Sequence, residues 1–109
     1  DASLAHLKEA ALQLEGAGCF GLLLELVESE AARIVTESIS IPTIGIGAGP
    51  HTSGQVLVYH DMLGLDPEFS PKHNRKYANL AETIIDAMNT YASDVAEGRF
   101  PAPENSFQK

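Results

Sequence analysis

The chain has 109 residues, a formal net charge of −8 at pH 7 and a single cysteine. An acidic balance of this size argues against nucleic-acid binding, which shows as a basic patch. A lone cysteine cannot close an internal disulfide. No apolar run approaches the ~18 residues of a membrane helix, and the amino end carries no signal-peptide pattern, so the expectation is a soluble intracellular α/β protein.

Leu4, Leu7, Ala11 and Leu14 recur at helical spacing and predict an amphipathic helix over Ser3 to Glu15. Gly16 and Gly18 follow, and glycine suits the left-handed backbone at a helix C-terminus. The apolar run Cys19 to Val27 then reads as a strand buried on both faces of a parallel sheet. Ser29 fits a helix N-cap, with Glu28 and Glu30 as solvated charges at the positive helix end. Ala31, Ala32, Ile34, Val35 and Ile39 form that helix's apolar stripe, and Pro42 stops it before a second strand running to Gly47. Strand, helix, strand in ~25 residues is a βαβ unit, with parallel strands and a right-handed crossover.

The next connection, from Gly47 to Gln55, is too short for a crossover helix. A third strand is expected over Val56 to Tyr59, from its β-branched and aromatic content; a partly helical Gln55 to Leu63 is the alternative. Asp66 to Asn74 reads as a loop broken by Pro67 and Pro71. Tyr77, Leu80, Ala81, Ile84, Ile85, Met88, Tyr91, Ala92 and Val95 mark a long amphipathic helix over about 76–98, followed by an extended tail containing Pro101 and Pro103.

One carboxylate interrupts the first strand. Glu25 follows Leu22-Leu23-Leu24 and precedes Leu26-Val27, and an unpaired buried carboxylate costs several kcal/mol. It is expected at the strand's C-terminal end, where α/β folds place their sites. A pKa raised by desolvation there would suit proton abstraction; a structural ion pair is the competing reading. Gly45-Ile46-Gly47-Ala48-Gly49 lacks the spacing of a dinucleotide loop. Gly47 and Gly49 read either as room for a ligand beside the backbone or as a tight turn without one. His60 and Asp61 close the expected third strand, facing a ligand or making structural hydrogen bonds. Cys19 fits a small core position better than a nucleophile. His51 and His73 are expected exposed in loops, and Lys72, Arg75 and Lys76 on the surface. The sequence holds no C-x-x-C and no H-E-x-x-H, so no self-contained metal site is expected.

Three segments together carry a resemblance: Leu22-Leu23-Leu24-Glu25-Leu26-Val27, then Ile41-Pro42-Thr43-Ile44-Gly45-Ile46-Gly47-Ala48-Gly49, then Gly54-Gln55-Val56-Leu57-Val58-Tyr59-His60-Asp61-Met62-Leu63-Gly64. In this order and spacing they resemble the C-terminal part of the ketopantoate hydroxymethyltransferase family. Ser70-Pro71-Lys72, Arg75-Lys76-Tyr77-Ala78 and the tail from Arg99 to Phe107 fit the same pattern, so the resemblance covers nearly the whole chain. One departure is Glu28, which stands where the family usually has proline.

The resemblance implies a (β/α)8 barrel, of which 109 residues would supply about the last three strands and their helices, since such barrels need ~250 residues. It implies transfer of a one-carbon unit from 5,10-methylenetetrahydrofolate to 3-methyl-2-oxobutanoate, giving ketopantoate for pantothenate and coenzyme A. The base role maps onto Glu25. The Mg²⁺ ligands, the substrate-binding lysine and the remaining strands are expected in an amino-terminal half outside this chain, with that half as partner. Further expectations are a homo-oligomer in which the helix over 76–98 reaches a subunit boundary, and a cytoplasmic setting, or a mitochondrial one for a eukaryotic parent. Two other classes stand beside this: a related Mg²⁺-dependent enolate-forming carbon–carbon lyase, and a non-catalytic barrel remnant kept for assembly.

Overall fold

A computed structural model describes all 109 residues. The chain divides into two compact units, one of residues 1–58 with 71–75 and one of residues 59–70 with 76–109.

The first unit is a βαβ layer preceded by a helix. Helix α1 spans Ala2–Gly16, strand β1 Leu22–Glu25, helix α2 Ser29–Ser38, strand β2 Thr43–Ile46 and strand β3 Gly54–Gln55. The sheet order is β1-β2-β3 with every pair parallel. Asp1 starts α1 by accepting the Leu4 amide at 2.8 Å, which satisfies one of the orphan donors of a first turn. Glu28, and not Ser29, caps α2: its two carboxylate oxygens accept the amides of Glu30 at 3.1 Å and Ala31 at 3.0 Å. The exposed charge expected at Glu28 is therefore also the helix cap.

The core lies on one side of the sheet. Leu22 and Leu24 of β1 pack with Ala11 of α1, Ala32 and Val35 of α2, and Ala48, with Leu7, Cys19, Val27, Ile39 and Ile41 half-buried against them. The stripe expected on α2 is present, and Cys19 takes the core position assigned to it. Thr43 is fully buried, and its hydroxyl lies 2.9 Å from the Thr36 hydroxyl and accepts the Ser53 amide at 3.2 Å. The Ser53 hydroxyl in turn accepts the Thr43 amide at 3.0 Å, so the buried polar groups are paired as a dry environment requires.

Strand β1 is shorter than the expected Cys19–Val27 and is not covered on both faces. Its burial alternates, and Leu23 is 60% exposed. Successive strand residues point to opposite faces, and α1 and α2 cover only the face of Leu22 and Leu24. The third strand is also displaced: pairing to β2 ends with the Val56 amide, and Tyr59–Met62 form a short helix, α3, in the second unit. Helix α4 covers Leu80–Ala96 and starts three residues after Tyr77. The amides of Tyr77, Leu80 and Ala81 donate instead to the carbonyls of Met62, Leu63 and Gly64, which holds 77–79 out of the helix. The tail contains a 3-10 turn at Pro103–Asn105 where an extended segment was expected.

Candidate functional site

Glu25 is the last residue of β1 and pairs in register with Ile46, the last residue of β2. Register partners in a parallel sheet share a face, and alternation puts Leu23 with Ile44 and Glu25 with Ile46 on the face opposite the core. The carboxylate thus stands at the C-terminal edge of an open, otherwise apolar sheet face. Glu25 lies at the strand's C-terminal end as expected, but it is exposed, which corrects the expectation of a desolvated carboxylate there. The helices that desolvate β1 lie on its other side.

The backbone turns sharply straight after this residue. Leu26 has φ 54°, a left-handed conformation that costs a non-glycine residue roughly 1–2 kcal/mol. Its amide donates to the Ile46 carbonyl at 2.9 Å, continuing the β1–β2 ladder one step beyond the strand. Gly47, the next residue on β2, also has a positive φ of 66°. The two strands therefore end together, each in a left-handed residue.

Gly47 and Gly49 are both sites of close approach. A Cβ on Gly47 would lie 2.8 Å from Leu26 Cδ2 and 3.2 Å from Cβ and Cγ of His73. A Cβ on Gly49, at φ 77°, would lie 2.7 Å from Ser29 Cβ, so this glycine lets the loop after β2 rest against the first residue of α2. The Gln55 side-chain amide donates to the Gly49 carbonyl at 2.8 Å and to the Thr52 hydroxyl at 3.0 Å, which ties the loop to β3. Of the two readings of these glycines, the close contact at both positions is made by side chains of the chain itself.

Glu25, Gly47 and Gly49 thus gather at the strand ends of the first unit. His60 and Asp61 do not end a strand. They lie on α3 of the second unit, where the His60 ring stacks on Tyr59 with centroids 4.2 Å apart. The expectation that they close a third strand fails because pairing to β2 ends with the Val56 amide on the Gly45 carbonyl at 3.0 Å, and Tyr59–Met62 form a helix, as the partly helical alternative had it. His73 is corrected in the other direction. It is half-buried, against Gly47, in the short segment 71–75 that clusters with the first unit. A single histidine in a proline-broken loop carries no periodicity, so nothing local in the sequence marks this contact. His51 is exposed as expected.

No group of three or more His, Cys, Asp and Glu side chains is placed to hold a metal ion. No helix is long and apolar enough to cross a membrane.

The family model for ketopantoate hydroxymethyltransferase matches residues 1–103. A protein of Thermotoga sp. (strain RQ2) named 3-methyl-2-oxobutanoate hydroxymethyltransferase is 52% identical over 102 residues, covering 94% of this chain and 38% of the relative. Proteins of the same name from Chloroflexus aurantiacus (strain ATCC 29366) and Salinibacter ruber (strain DSM 13855) are 55% and 54% identical over 96 and 102 residues, covering 88% and 94% of this chain but only 34% and 38% of the relatives. The chain thus spans well under half of their length, corresponding to their C-terminal part. On a match that covers nearly all of its residues, the chain belongs to the ketopantoate hydroxymethyltransferase family.

Proposed function

We propose that this chain supplies the enolate-forming base of a 3-methyl-2-oxobutanoate hydroxymethyltransferase, and that Glu25 is that base. The observation that carries the reading is the position of Glu25: a carboxylate at the C-terminal end of a parallel strand, on the face turned away from the helices. Side chains at that place point into the active-site mouth when a sheet closes into a (β/α)8 barrel. The names of the relatives support the reaction class.

In this reading the carboxylate takes the proton from the carbon next to the ketone of 3-methyl-2-oxobutanoate. The resulting enolate carbon forms a C–C bond to the one-carbon unit of 5,10-methylenetetrahydrofolate. Both C–N bonds of that unit break, tetrahydrofolate leaves, and one water supplies the hydroxyl oxygen of ketopantoate and the protons that the folate nitrogens take up. The open apolar face of Leu23 and Ile44 is to be closed by the strands that the relatives carry ahead of the matched part, which we take as the partner of this chain. A Mg²⁺ ion would polarise the ketone oxygen; the residues of this chain do not assemble a site for it, and we take its ligands to lie on that partner segment. A homo-oligomer in contact through α4 and a cytoplasmic setting complete the proposal. His60 and Asp61 are given no part in it.

The test is to co-express the 109-residue chain with the preceding segment of the Thermotoga relative and to assay folate-dependent ketopantoate formation with Mg²⁺. Activity that falls by about 10²–10⁴-fold in Glu25→Gln, the usual worth of a positioned base, is the expected result. An assembled complex whose Glu25→Gln form keeps its rate would remove Glu25 from the chemistry. A complex that assembles without turning over would favour the assembly-module reading.

A further inference from the structure

We infer that His73 is a positioning residue for Glu25, acting through the joint made by Leu26 and Gly47; the inference rests on Glu25 being the base. Leu26 holds a left-handed backbone that a leucine would leave if it were free to, and such conformations persist only where surrounding structure over-determines them. Three constraints meet at this point. The Leu26 amide is bonded to the Ile46 carbonyl at 2.9 Å. The Leu26 side chain lies in the space above the Gly47 Cα, with Cδ2 2.8 Å from where a Cβ would stand. His73 borders the same space, with its Cβ and Cγ each 3.2 Å from that point.

The third constraint is the only one of the three supplied from outside the two strands. Residues 71–75 cluster with the first unit although the residues on either side of them belong to the second, so this short segment straps onto the strand ends. His73 is half-buried there, while Leu26 is 68% exposed. Without the ring, Leu26 is free to relax its backbone, and the residue whose orientation moves with it is its covalent neighbour, Glu25. The ring acts here by its volume and flat shape; none of the three constraints uses its nitrogens.

The experiment reads backbone amide exchange of the 109-residue chain by NMR, and kcat and KM of the co-expressed complex, for His73→Ala, His73→Phe and Glu25→Gln. His73→Ala is expected to speed exchange of the Leu26 amide by about tenfold while the strand amides of Leu22–Glu25 and Thr43–Ile46 keep their rates. It is expected to lower kcat by roughly ten- to a hundredfold with KM within about twofold, the signature of a displaced reacting group. His73→Phe, which keeps a planar ring and removes the nitrogens, is expected to restore both. Exchange that is unchanged at Leu26, or that rises equally over both strands, overturns the inference, because the ring is then inert or merely stabilising. A His73→Phe variant as impaired as His73→Ala also overturns it, since the nitrogens would be the working part. Should Glu25→Gln keep its activity, the base assignment fails and the positioning role fails with it, whereas a normal loss in Glu25→Gln beside an unimpaired His73→Ala rejects the His73 role alone. In a complex without turnover, the exchange rates decide.

Discussion

The side chain of Leu26 fills the space that Gly47 leaves by having none, and the two residues, adjacent across the ends of β1 and β2, share a left-handed backbone at φ 54° and 66°. Each depends on the other. The leucine can turn there only because its neighbour is a glycine, and the glycine is needed both for its own φ and for the leucine's room. The consequence is an abrupt, matched end to the two strands directly after Glu25.

Gly47→Ala tests this pairing. An added Cβ meets Leu26 Cδ2 at 2.8 Å, whereas a Cβ on Gly98, at φ 73°, meets nothing within 4 Å. Both substitutions carry the backbone cost of roughly 1–2 kcal/mol, and only Gly47→Ala adds a steric one. Urea unfolding of the two variants is expected to show Gly47→Ala as the more destabilised by at least about 1 kcal/mol, in the range of overpacking costs.

Glu28→Ala removes a cap whose carboxylate serves two amides of the first turn of α2. The expected loss is about 1 kcal/mol, measured by chemical unfolding. Glu37→Ala is the reference: Glu37 lies on the same helix with an exposed ion pair to Arg33, and such a pair contributes about 0–1 kcal/mol.

Thr43→Val keeps the shape of a fully buried side chain and deletes its hydroxyl. The Ser53 amide loses its acceptor, while the Thr36 hydroxyl keeps its bond to the Ala32 carbonyl, and leaving a buried donor unpaired costs about 1–3 kcal/mol. A destabilisation in that range, with an unchanged denaturant slope, is expected. A stability equal to that of the wild type would mean that water reaches the cluster.

Glu15 links the C-terminal end of α1 to the start of β2 and should respond to acid. Its carboxylate accepts both the hydroxyl and the amide of Ser40, and the hydroxyl bond is the first cause of a pKa held below the usual glutamate value. A depressed folded-state pKa means that the contribution is complete above the unfolded value of about 4.3 and is lost as pH falls through the folded one. Below pH 4, the difference in midpoint between the wild type and Glu15→Gln is expected to shrink, and above pH 5 to be constant.

Helix α4 presents Ile84, Ile85, Met88, Tyr91 and Val95 at 47–64% exposure. If this stripe joins subunits, Ile85→Lys lowers the assembled mass seen by native mass spectrometry. An unchanged mass with poorer solubility would count against such a contact.

Much of this protein was legible in its residues. The helical periods of α1, α2 and α4 survive because an amphipathic stripe is a local property of the sequence. So does the βαβ unit, since the glycines after α1 and Pro42 after α2 mark real chain reversals. The single carboxylate in an apolar run was sufficient to place Glu25 at a strand's C-terminal end, where it lies. Other features needed the tertiary structure. Whether Val56 to Tyr59 extends or coils depends on which backbone groups find partners, and pairing to β2 ends with the Val56 amide. The open face of β1 depends on where α1 and α2 pack, because a run of leucines reads alike whether one face or two are covered. The left-handed turn at Leu26 and the ring of His73 against Gly47 join residues from three separate segments, and no local pattern of charge or hydrophobicity encodes a contact between them. Sequence determined the main helices and the strand-end place of Glu25, through periodicity and pattern; only packing decided the left-handed turn that follows it, because the contacts around that turn are steric and come from far along the chain.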